Sequence, residues 1–478
     1  MNQSKQIKEK IKREVIKIVK DKKYIISTTI VGSFINSKGL DGISDIDVVI
    51  IVDKLNKEVF DEVNDSFQRI NSSEIGLNEY DVTINNTFGP LKFNTDKNIV
   101  FHVMIYSIEG HIDHVEQSPF TCISWENYKP LHGISLKEIY PVLNLQLTDI
   151  LESRRGMLSY ISDVENGSIT YRKYTFEKGV PLVIKDHFEL DSKHKLEYSY
   201  HITYHLLNNF YKIITREIDS PEKEDLIEFY FNLKLVPKHN ISFFKDLFYW
   251  KKMGGEPPLN VLGKTKLFLN DFFNFIEMMK TSSVINSFRR HEKTILNDGT
   301  FLGVKRNPSI NEISKEIGDF KYEIGYHSEL LRSKETINHY NTNNLVCSPL
   351  LNEINYGKAE GLSYEELNIK HPHIVSEWSQ GLDPNFPDGE SQEDVLKRVN
   401  TFLSKVLESD KNCLVITHLV VLRMILFHYL KIDMKNLYKI RIGHLEGFDV
   451  LNCREYFSIE TSEGIRREIR KQLSISNG

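Results

Sequence analysis

Cysteine is scarce in this chain. Its 478 residues include four cysteines, and none of them stands in a C-x-x-C pair. Scattered single thiols argue against a disulfide framework and against a zinc ribbon, because both need closely spaced cysteines. We therefore expect a protein of the reducing cytoplasm.

Long apolar runs and an excess of basic charge are also missing. No stretch reaches the ~18 apolar residues of a membrane span, and the charged N-terminus lacks the apolar segment of a signal peptide. Its Ile7, Ile11, Val15 and Ile18 recur at helical spacing, which predicts an amphipathic helix packed on its own domain. A net charge of -5 gives no reason to expect nucleic acid as the partner. We expect neither a membrane nor a nucleic acid to bind.

The composition that is present is that of a globular protein, and the length suggests about three domains. Apolar β-rich runs at 24–31 and 46–52 and a helical pattern at 55–70 indicate an α/β beginning. The middle is mainly helical, and a strand-like run at 413–417 followed by a helix-like run indicates an α/β end. We predict an α/β multidomain protein with an α/β domain at 1–140, a mainly helical domain at 141–280, and an α/β domain at 281–478 with helices on both faces of a mostly parallel sheet.

The first candidate site lies between two predicted strands, in VGSFINSKGLDGISDIDVVIIV. Gly32 and Ser33 follow the first strand. After eleven further residues come Asp45 and Asp47, which are two positions apart on the second strand. Because side chains on a strand repeat every two residues, both carboxylates point to the same face. Two like charges so close repel, and a divalent cation relieves that repulsion. The Gly-Ser turn adds backbone N–H groups and a hydroxyl that can bind phosphate.

These residues resemble the signature of the nucleotidyltransferase superfamily typified by DNA polymerase β and the aminoglycoside nucleotidyltransferases. The resemblance covers about residues 24–110. It implies that Asp45 and Asp47 hold Mg²⁺ or Mn²⁺, and that Gly32 and Ser33 bind an incoming NTP.

The same resemblance implies a third carboxylate on a neighbouring strand. We prefer Asp81, which has Glu79 two residues before it on the same face. The run IVFHVMIY could also be that strand, and it presents His102 where an acid could stand. If neither candidate reaches the aspartate pair, we expect a domain that binds nucleotide without transferring it.

The second constellation is spread over the last third of the chain. Physically it is a set for phosphoryl transfer: one imidazole to attack phosphorus, arginines to bind its oxygens, a second imidazole, and a carboxylic acid to protonate the leaving oxygen. Its five blocks, in chain order, are Arg290, His291, Thr294 and Asn297; Ser328, Arg332 and Thr336; Leu351, Glu353, Gly357, Glu360 and Gly361; Pro387, Gly389, Glu390 and Ser391; and His418 with Arg423.

In this order the blocks resemble the histidine phosphatase superfamily, the phosphoglycerate mutase-like enzymes, over about residues 284–460. The resemblance implies that His291 is the nucleophile and that Arg290 and Arg332 bind the phosphate. It further implies that His418 completes the pocket, that Glu353 is the proton donor, and that no metal is needed.

Two residues depart from the family pattern. Glu292 replaces the glycine after the nucleophile, and Leu419 replaces the glycine after the second histidine. A carboxylate beside a phosphate pocket opposes anion binding unless Lys293 or Arg306 offsets it.

Together the two resemblances predict a bifunctional enzyme. We expect metal-dependent nucleotidyl transfer from an NTP to a small phosphorylated or hydroxylated metabolite, combined with phosphomonoester hydrolysis through a phosphohistidine. The alternatives are a phosphatase regulated by a nucleotide-binding, non-transferring N-terminal module, and a catalytically silent scaffold, which Glu292 and Leu419 would favour.

Overall fold

The computed structural model describes residues 3–37, 39–40, 45–89, 98–233, 238–253, 260–408, 410–453 and 456–474. It confirms an α/β protein with parallel strands in both of its large sheets. Within these ranges no helix is both long enough and apolar enough to span a membrane.

The first part of the chain builds a five-stranded sheet in the order β3-β4-β2-β1-β5, with helices packed against it. Its strands are β1 (Ile25–Val31), β2 (Ile46–Val52), β3 (Asp81–Asn85), β4 (Asn98–Ser107) and β5 (His132–Gly133). Its helices are α1 (Gln3–Val19), α2 (Ser33–Asn36), α3 (Lys57–Gln68), α4 (Ser72–Ile75), α5 (Ile108–Gln117), α6 (Pro119–Trp125) and α7 (Leu136–Ile139).

The predicted N-terminal helix α1 is confirmed and lies against this sheet. Ile7, Ile11 and Val15 are buried in one core with apolar residues of β1 and β2. The sheet itself is buried on both faces: along β2, Val48 and Ile50 pack on the α1 side, while Val49 and Ile51 belong to a second core. Strand β2 is central and rigid, which fixes the position of the aspartates at its start.

The middle part is helical, as predicted, except for one long hairpin. The helices are α8 (Leu147–Glu152), α9 (Met157–Asn166), α10 (Ser192–Thr215), α11 (Lys223–Leu233), α12 (Lys238–Met253) and α13 (Val261–Ser282). The hairpin joins β6 (Ser168–Glu177) to β7 (Val180–Glu189) through Lys178 and Gly179, both of which have positive φ. Two successive residues with positive φ form the tight turn whose twist matches that of a hairpin.

The last part contains a six-stranded sheet in the order β10-β9-β11-β8-β12-β13. Its strands are β8 (Val284–Arg290), β9 (Tyr322–His327), β10 (Thr342–Cys347), β11 (Cys413–Thr417), β12 (Gly447–Cys453) and β13 (Tyr456–Glu460). Its helices are α14 (Leu331–Ile337), α15 (Tyr364–Lys370), α16 (Pro372–Ser379), α17 (Gln392–Lys405), α18 (Leu419–Leu430), α19 (Met434–Leu437) and α20 (Glu463–Leu473).

The first four strands in this order run parallel, whereas β12 runs antiparallel to both of its neighbours, β8 and β13. Helices cover both faces, as predicted: Leu414 and Ile416 of β11 pack against Ile337 of α14, and Val415 belongs to the core that includes α17 and α18. The carboxyl ends of β8 and β11 therefore lie side by side.

Helix α20 ties the last part of the chain to the first. The side chain of Arg470 is fully buried, donates Nε and Nη2 to the carbonyl of Val142 at 2.8 and 2.6 Å, and donates Nη1 to Glu116. One turn earlier, Arg466 forms an ion pair with Asp149, also buried. These contacts hold the two sheets in a fixed relation.

Candidate active sites

The aspartate pair stands at the beginning of β2, directly opposite the Gly-Ser turn. Gly32 has φ 77°, and a Cβ on this residue would lie 2.7 Å from Asp47 Oδ2. Both the left-handed backbone and the close approach require glycine. The turn therefore lies beside the Asp47 carboxylate, where the end of β1 pairs with the beginning of β2.

His102 is the third member of this cluster. Strands β2 and β4 are parallel and pair Asp47 with His102, so that His102 Nδ1 lies 2.8 Å from Asp47 Oδ1. Nε2 lies 2.7 Å from the carbonyl oxygen of Thr87. Both partners can only accept, so each ring nitrogen donates an N–H and the ring is an imidazolium. Burial lowers the pKa of His102, but the hydrogen bond and the charge of Asp47 outweigh burial and raise the pKa above 6.5.

The strand register places Asp81, our preferred third carboxylate, apart from this cluster. Asp81 pairs with Asn98 on β4, whereas His102 pairs with Asn85, four residues further along β3. At the rise of a strand this displacement is about 13 Å. Asp81 is also exposed. The run that contains His102 supplies the neighbouring strand, and an imidazole stands where the family has an acid.

The three side chains have the spacing of a metal site. Asp45, Asp47 and His102 can each bring one ligand atom within 4.8 Å of the others. Carboxylate oxygens are the ligands that Mg²⁺ and Mn²⁺ prefer. Because both ring nitrogens of His102 donate, this side chain orients Asp47 and leaves the ligand positions to the two carboxylates. Gly32 leaves space beside the Asp47 carboxylate that a Cβ would occupy. The donor set therefore fits a hard divalent cation.

The two histidines of the second constellation follow the ends of adjacent parallel strands. Arg290 ends β8 and pairs with Thr417 at the end of β11, so that the next residues, His291 and His418, are neighbours. Their ring centroids are 4.9 Å apart, and both side chains are buried. The carboxyl ends of parallel strands bring together two residues that are far apart in the sequence.

The hydrogen bonds of His291 fix its tautomer. Nδ1 lies 2.6 Å from the carbonyl oxygen of Glu292, which can only accept, so Nδ1 carries the proton and Nε2 keeps its lone pair. Burial, followed by the charges of Arg332 and Arg290, holds the pKa of His291 well below its ordinary value. A neutral imidazole with a free Nε2 is the form that attacks phosphorus.

Two guanidinium groups border the histidine pair. Arg332 is fully buried and donates Nη2 to the carbonyl of Gly303 at 2.8 Å and Nε to His418 Nδ1 at 3.3 Å. Arg290 donates Nη1 to the carbonyl of Ile442 at 2.8 Å. Its Nε is buried and has no hydrogen-bond partner among the described residues. A buried donor without a partner is costly, and a bound anion would satisfy it.

Glu353 provides the acid of the set. The side chain is buried, and Oε1 accepts a hydrogen bond from the N–H of Ile354 at 3.0 Å. Burial raises the pKa of Glu353 above 4.5, although the charges of Arg332 and Arg290 oppose that shift. The raised pKa favours the protonated acid that a proton donor requires.

The two departures from the family pattern are accommodated locally. Glu292 Oε2 accepts hydrogen bonds from the N–H and hydroxyl of Ser314, and Oε1 accepts one from the N–H of Lys293. The carboxylate is thus held by a neighbouring loop. Leu419 is the first residue of α18, whose N-cap is His418, so the positive end of that helix lies beside the second histidine.

His444 is a third histidine at this site, and our sequence analysis missed it. Its ring centroid lies 5.4 Å from that of His291, and its Nδ1 lies 2.8 Å from the His291 carbonyl oxygen. It comes from the loop before the antiparallel strand β12, which pairs with β8. No spacing in the sequence marks this residue, because its position depends on that strand pairing.

Comparisons with known proteins identify both halves. The model of the nucleotidyltransferase domain matches residues 12–132, and the model of branch 1 of the histidine phosphatase superfamily matches residues 309–457. The second match begins after His291. The placement of this histidine beside His418 therefore comes from the structure.

Individual relatives match only a part of the chain. The 6-phosphofructo-2-kinase/fructose-2,6-bisphosphatase of Gallus gallus is 36% identical over 81 residues, which are 17% of each protein. The structure of the alpha-ribazole phosphatase from Shigella flexneri aligns with a TM-score of 0.32 and 18% identity, covering 37% of this chain and 95% of that one. A mycobacterial glucosyl-3-phosphoglycerate phosphatase aligns with a TM-score of 0.29 and 16% identity, covering 37% of this chain and 96% of that one.

The strand order, the two clusters of polar side chains and the two family matches agree along the sequence. This chain joins a nucleotidyltransferase domain to a domain of the histidine phosphatase superfamily.

Proposed function

We propose that the chain is a bifunctional enzyme whose C-terminal site hydrolyses phosphomonoesters through a phosphohistidine at His291. One observation carries this proposal: the free Nε2 of a neutral His291 lies in a buried pocket with His418 and two guanidinium groups. Such a pocket favours a tetrahedral anion and presents a nucleophile to it.

The chemistry follows from the positions of these groups. Arg290 and Arg332 bind the non-bridging oxygens while His291 Nε2 attacks phosphorus and the bond to the leaving oxygen breaks. Glu353 gives its proton to that oxygen. Water then attacks phosphorus, the N–P bond breaks, and the Glu353 carboxylate takes the proton from the water, which restores both groups.

Hydrolysis of p-nitrophenyl phosphate by the full-length chain tests this proposal. We expect His291→Ala to lower kcat by roughly 10³-fold or more, since losing a nucleophile removes the covalent route. His339→Ala is the matched control, because His339 is an exposed histidine of the same domain. Equal rates in His291→Ala and His339→Ala would refute the proposal.

For the N-terminal site we propose nucleotidyl transfer. Asp45 and Asp47 would hold the divalent cation, which when bound neutralises charge on the phosphates of an NTP. Gly32 and Ser33 would bind those phosphates through backbone N–H groups and the hydroxyl. His102 holds the Asp47 carboxylate in place through the hydrogen bond from Nδ1. An acceptor hydroxyl would attack the α-phosphorus as the bond to pyrophosphate breaks, and the proton of that hydroxyl would pass to water.

One observation favours the alternative of a nucleotide-binding module that does not transfer. In this structure His102 donates both of its N–H groups, so it does not offer the free base that a third carboxylate would supply. Pyrophosphate release separates the two functions. Binding of an NTP to the full-length chain without pyrophosphate release over a panel of hydroxylated and phosphorylated acceptors would favour the regulatory module.

A further inference from the structure

A cavity of about 470 Å³ lies where the Gly32–Ser33 turn faces the helices of the middle part. Its walls include residues of α6, the segment between α8 and α9, and α10. Because a Cβ on Gly32 would lie 2.7 Å from Asp47 Oδ2, the cavity adjoins the candidate metal site. Most of its wall lies outside the motif that the sequence analysis singled out.

The charge of this cavity has one sign. Four of the described side chains that line the cavity are cationic. The lining contains no aspartate and no glutamate among the described residues. The four are Arg154, Arg155, Lys212 and Lys223. Arg154 forms an ion pair with Asp113, which does not line the cavity; the distance from Nη2 to Oδ2 is 2.8 Å. For Arg155 and Lys223 the described residues provide no carboxylate within ion-pair distance, and Lys223 lies over the ring of Tyr204.

Lys212 is the most confined of the four. Its side chain is buried, and Nζ donates to the hydroxyl of Ser124 at 2.6 Å. Burial lowers the pKa of this ammonium group to about 8, although the charge of Asp219 raises it. A buried cation whose contact is a neutral hydroxyl is stabilised by an anion that enters beside it.

Arg172 adds a third positive charge near Arg154 and Arg155. Burial, followed by the charge of Arg154, lowers the pKa of Arg172 to about 10, and Arg155 acts in the same direction. Arg172 does not line the cavity, but its guanidinium group is repelled by the two that do. A phosphate group relieves such repulsion through charge-assisted hydrogen bonds.

The wall also contains a buried acceptor that lacks a donor. Asn208 lines the cavity and is 5% exposed. Its Nδ2 donates to Ser220 Oγ at 2.9 Å, while Oδ1 has no partner among the described residues. An unsatisfied buried amide costs about 1–3 kcal/mol, and a hydroxyl group of a ligand would remove that cost.

We propose that this cavity binds the acceptor of nucleotidyl transfer, and that the acceptor is a hydroxyl-bearing phosphomonoester of the sugar-phosphate or polyol-phosphate class. Arg155 and Lys212 would bind its phosphate, and Asn208 Oδ1 would accept from one of its hydroxyl groups. This inference rests on the proposed nucleotidyl transfer. A polycationic acceptor would meet four like charges, which excludes the aminoglycoside class. Both sites of the chain then take phosphomonoesters.

The triphosphate of the NTP is a second source of the same phosphate chemistry, and the experiment must separate the two. Trp125 lines the cavity, and the other tryptophans are Trp250 and Trp378. In a full-length Trp250→Phe, Trp378→Phe protein, the emission of Trp125 reports on this cavity and not on the phosphatase site. The probes are the α,β-methylene analogue of ATP with Mg²⁺, and glycerol 3-phosphate added to that complex, with glycerol as the neutral control.

We expect glycerol 3-phosphate, but not glycerol, to change Trp125 emission in a saturable way. In Arg155→Gln and Lys212→Gln its affinity should fall about tenfold, the loss expected for one charge-assisted hydrogen bond. The affinity of the nucleotide analogue should stay within about twofold. Lys185→Gln, which neutralises an exposed lysine of the hairpin, should change neither affinity. Circular dichroism and p-nitrophenyl phosphate hydrolysis verify that each variant is folded.

Two results would overturn the inference. A loss of nucleotide affinity in Arg155→Gln and Lys212→Gln, with glycerol 3-phosphate binding unchanged, would assign the cations to the triphosphate. The absence of any effect of glycerol 3-phosphate on Trp125 would exclude a phosphomonoester from the cavity. Failure of the proposed nucleotidyl transfer would appear separately, as the absence of pyrophosphate release when ATP replaces its analogue in the presence of glycerol 3-phosphate.

Discussion

Glu292 is anchored by Ser314: Oε2 of the carboxylate accepts both the backbone N–H and the hydroxyl of that serine, at 2.7 and 2.6 Å. The glycine-to-glutamate departure beside His291 therefore serves as a loop anchor. Its carboxylate accepts hydrogen bonds from Ser314 and from the N–H of Lys293, and from neither His291 nor His418. The residue that argued for a silent scaffold is compatible with anion binding.

This anchor predicts the effect of removing it. Glu292→Ala leaves the two donors of Ser314 and the N–H of Lys293 without their acceptor, so the free energy of unfolding should fall by about 1–3 kcal/mol. Activity toward p-nitrophenyl phosphate should not rise. Urea unfolding and kcat/KM measure the two effects, and Ser314→Ala should reproduce a part of the loss. A large gain in kcat/KM in Glu292→Ala, without loss of stability, would show that the carboxylate opposes the substrate.

The raised pKa of Glu353 predicts a pH dependence that differs between substrates. The acid form donates the proton, so hydrolysis of an alkyl phosphate should decline as pH rises through the pKa of Glu353, which burial places above 4.5. Glu353→Gln should lower kcat for glycerol 2-phosphate about 10²-fold or more and remove that decline. p-Nitrophenolate is a good leaving group and needs no proton, so hydrolysis of its ester should be affected far less. Equal losses for both esters would assign Glu353 a structural role.

The register of the first sheet predicts which aspartates bind metal. Asp47→Asn should abolish Mn²⁺ binding measured by electron paramagnetic resonance, because it removes one of the two carboxylates at the site. Asp81→Asn is the matched control and should bind Mn²⁺ as the wild type does. Removal of divalent cations with EDTA should stop pyrophosphate release and leave p-nitrophenyl phosphate hydrolysis unchanged. Loss of Mn²⁺ binding in Asp81→Asn would show that Asp81 belongs to the metal site, and would contradict the position that the register gives it.

How much the sequence predicts differs between the two sites. The aspartate pair and the phosphatase blocks could be recognised because each is local, or stands at a strand end with its own spacing. The choice between Asp81 and His102 could not be made, because it depends on the parallel register of β2, β3 and β4. His444 was missed for the same reason: it reaches His291 through the pairing of β12 with β8.

The hairpin β6–β7 was missed although the sequence carries a signal for it. The segments SITYRKYTFE and VPLVIKDHFE are rich in β-branched and aromatic residues, and only Lys178 and Gly179 separate them. A two-residue connection ending in glycine is typical of a hairpin. The helical character of the surrounding residues led us to describe the middle part as mainly helical and to name no strand in it.

The contacts of Arg470 with Glu116 and Val142 predict that the first and last parts of the chain unfold together. Arg470→Ala removes the cationic partner of the Glu116 side chain, which is 8% exposed and keeps one hydrogen bond from the Tyr140 hydroxyl. The Val142 carbonyl loses both guanidinium donors and keeps the N–H of Asn144. Losing the buried ion pair should cost about 3–5 kcal/mol. Arg467→Ala, at an exposed position of the same helix, should cost almost nothing. Urea unfolding followed by tryptophan emission gives both values. A separate, unaltered transition for the N-terminal domain in Arg470→Ala would show that the two halves are energetically independent.

The most direct test is to trap the covalent intermediate. The full-length chain is mixed with p-nitrophenyl phosphate and quenched in alkali, which preserves phosphohistidine, and its peptides are read by mass spectrometry. We expect one phosphoryl group, on His291, present in His339→Ala and lost in His291→Ala. A phosphoryl group on a different residue, or wild-type hydrolysis in His291→Ala, would contradict the proposed mechanism.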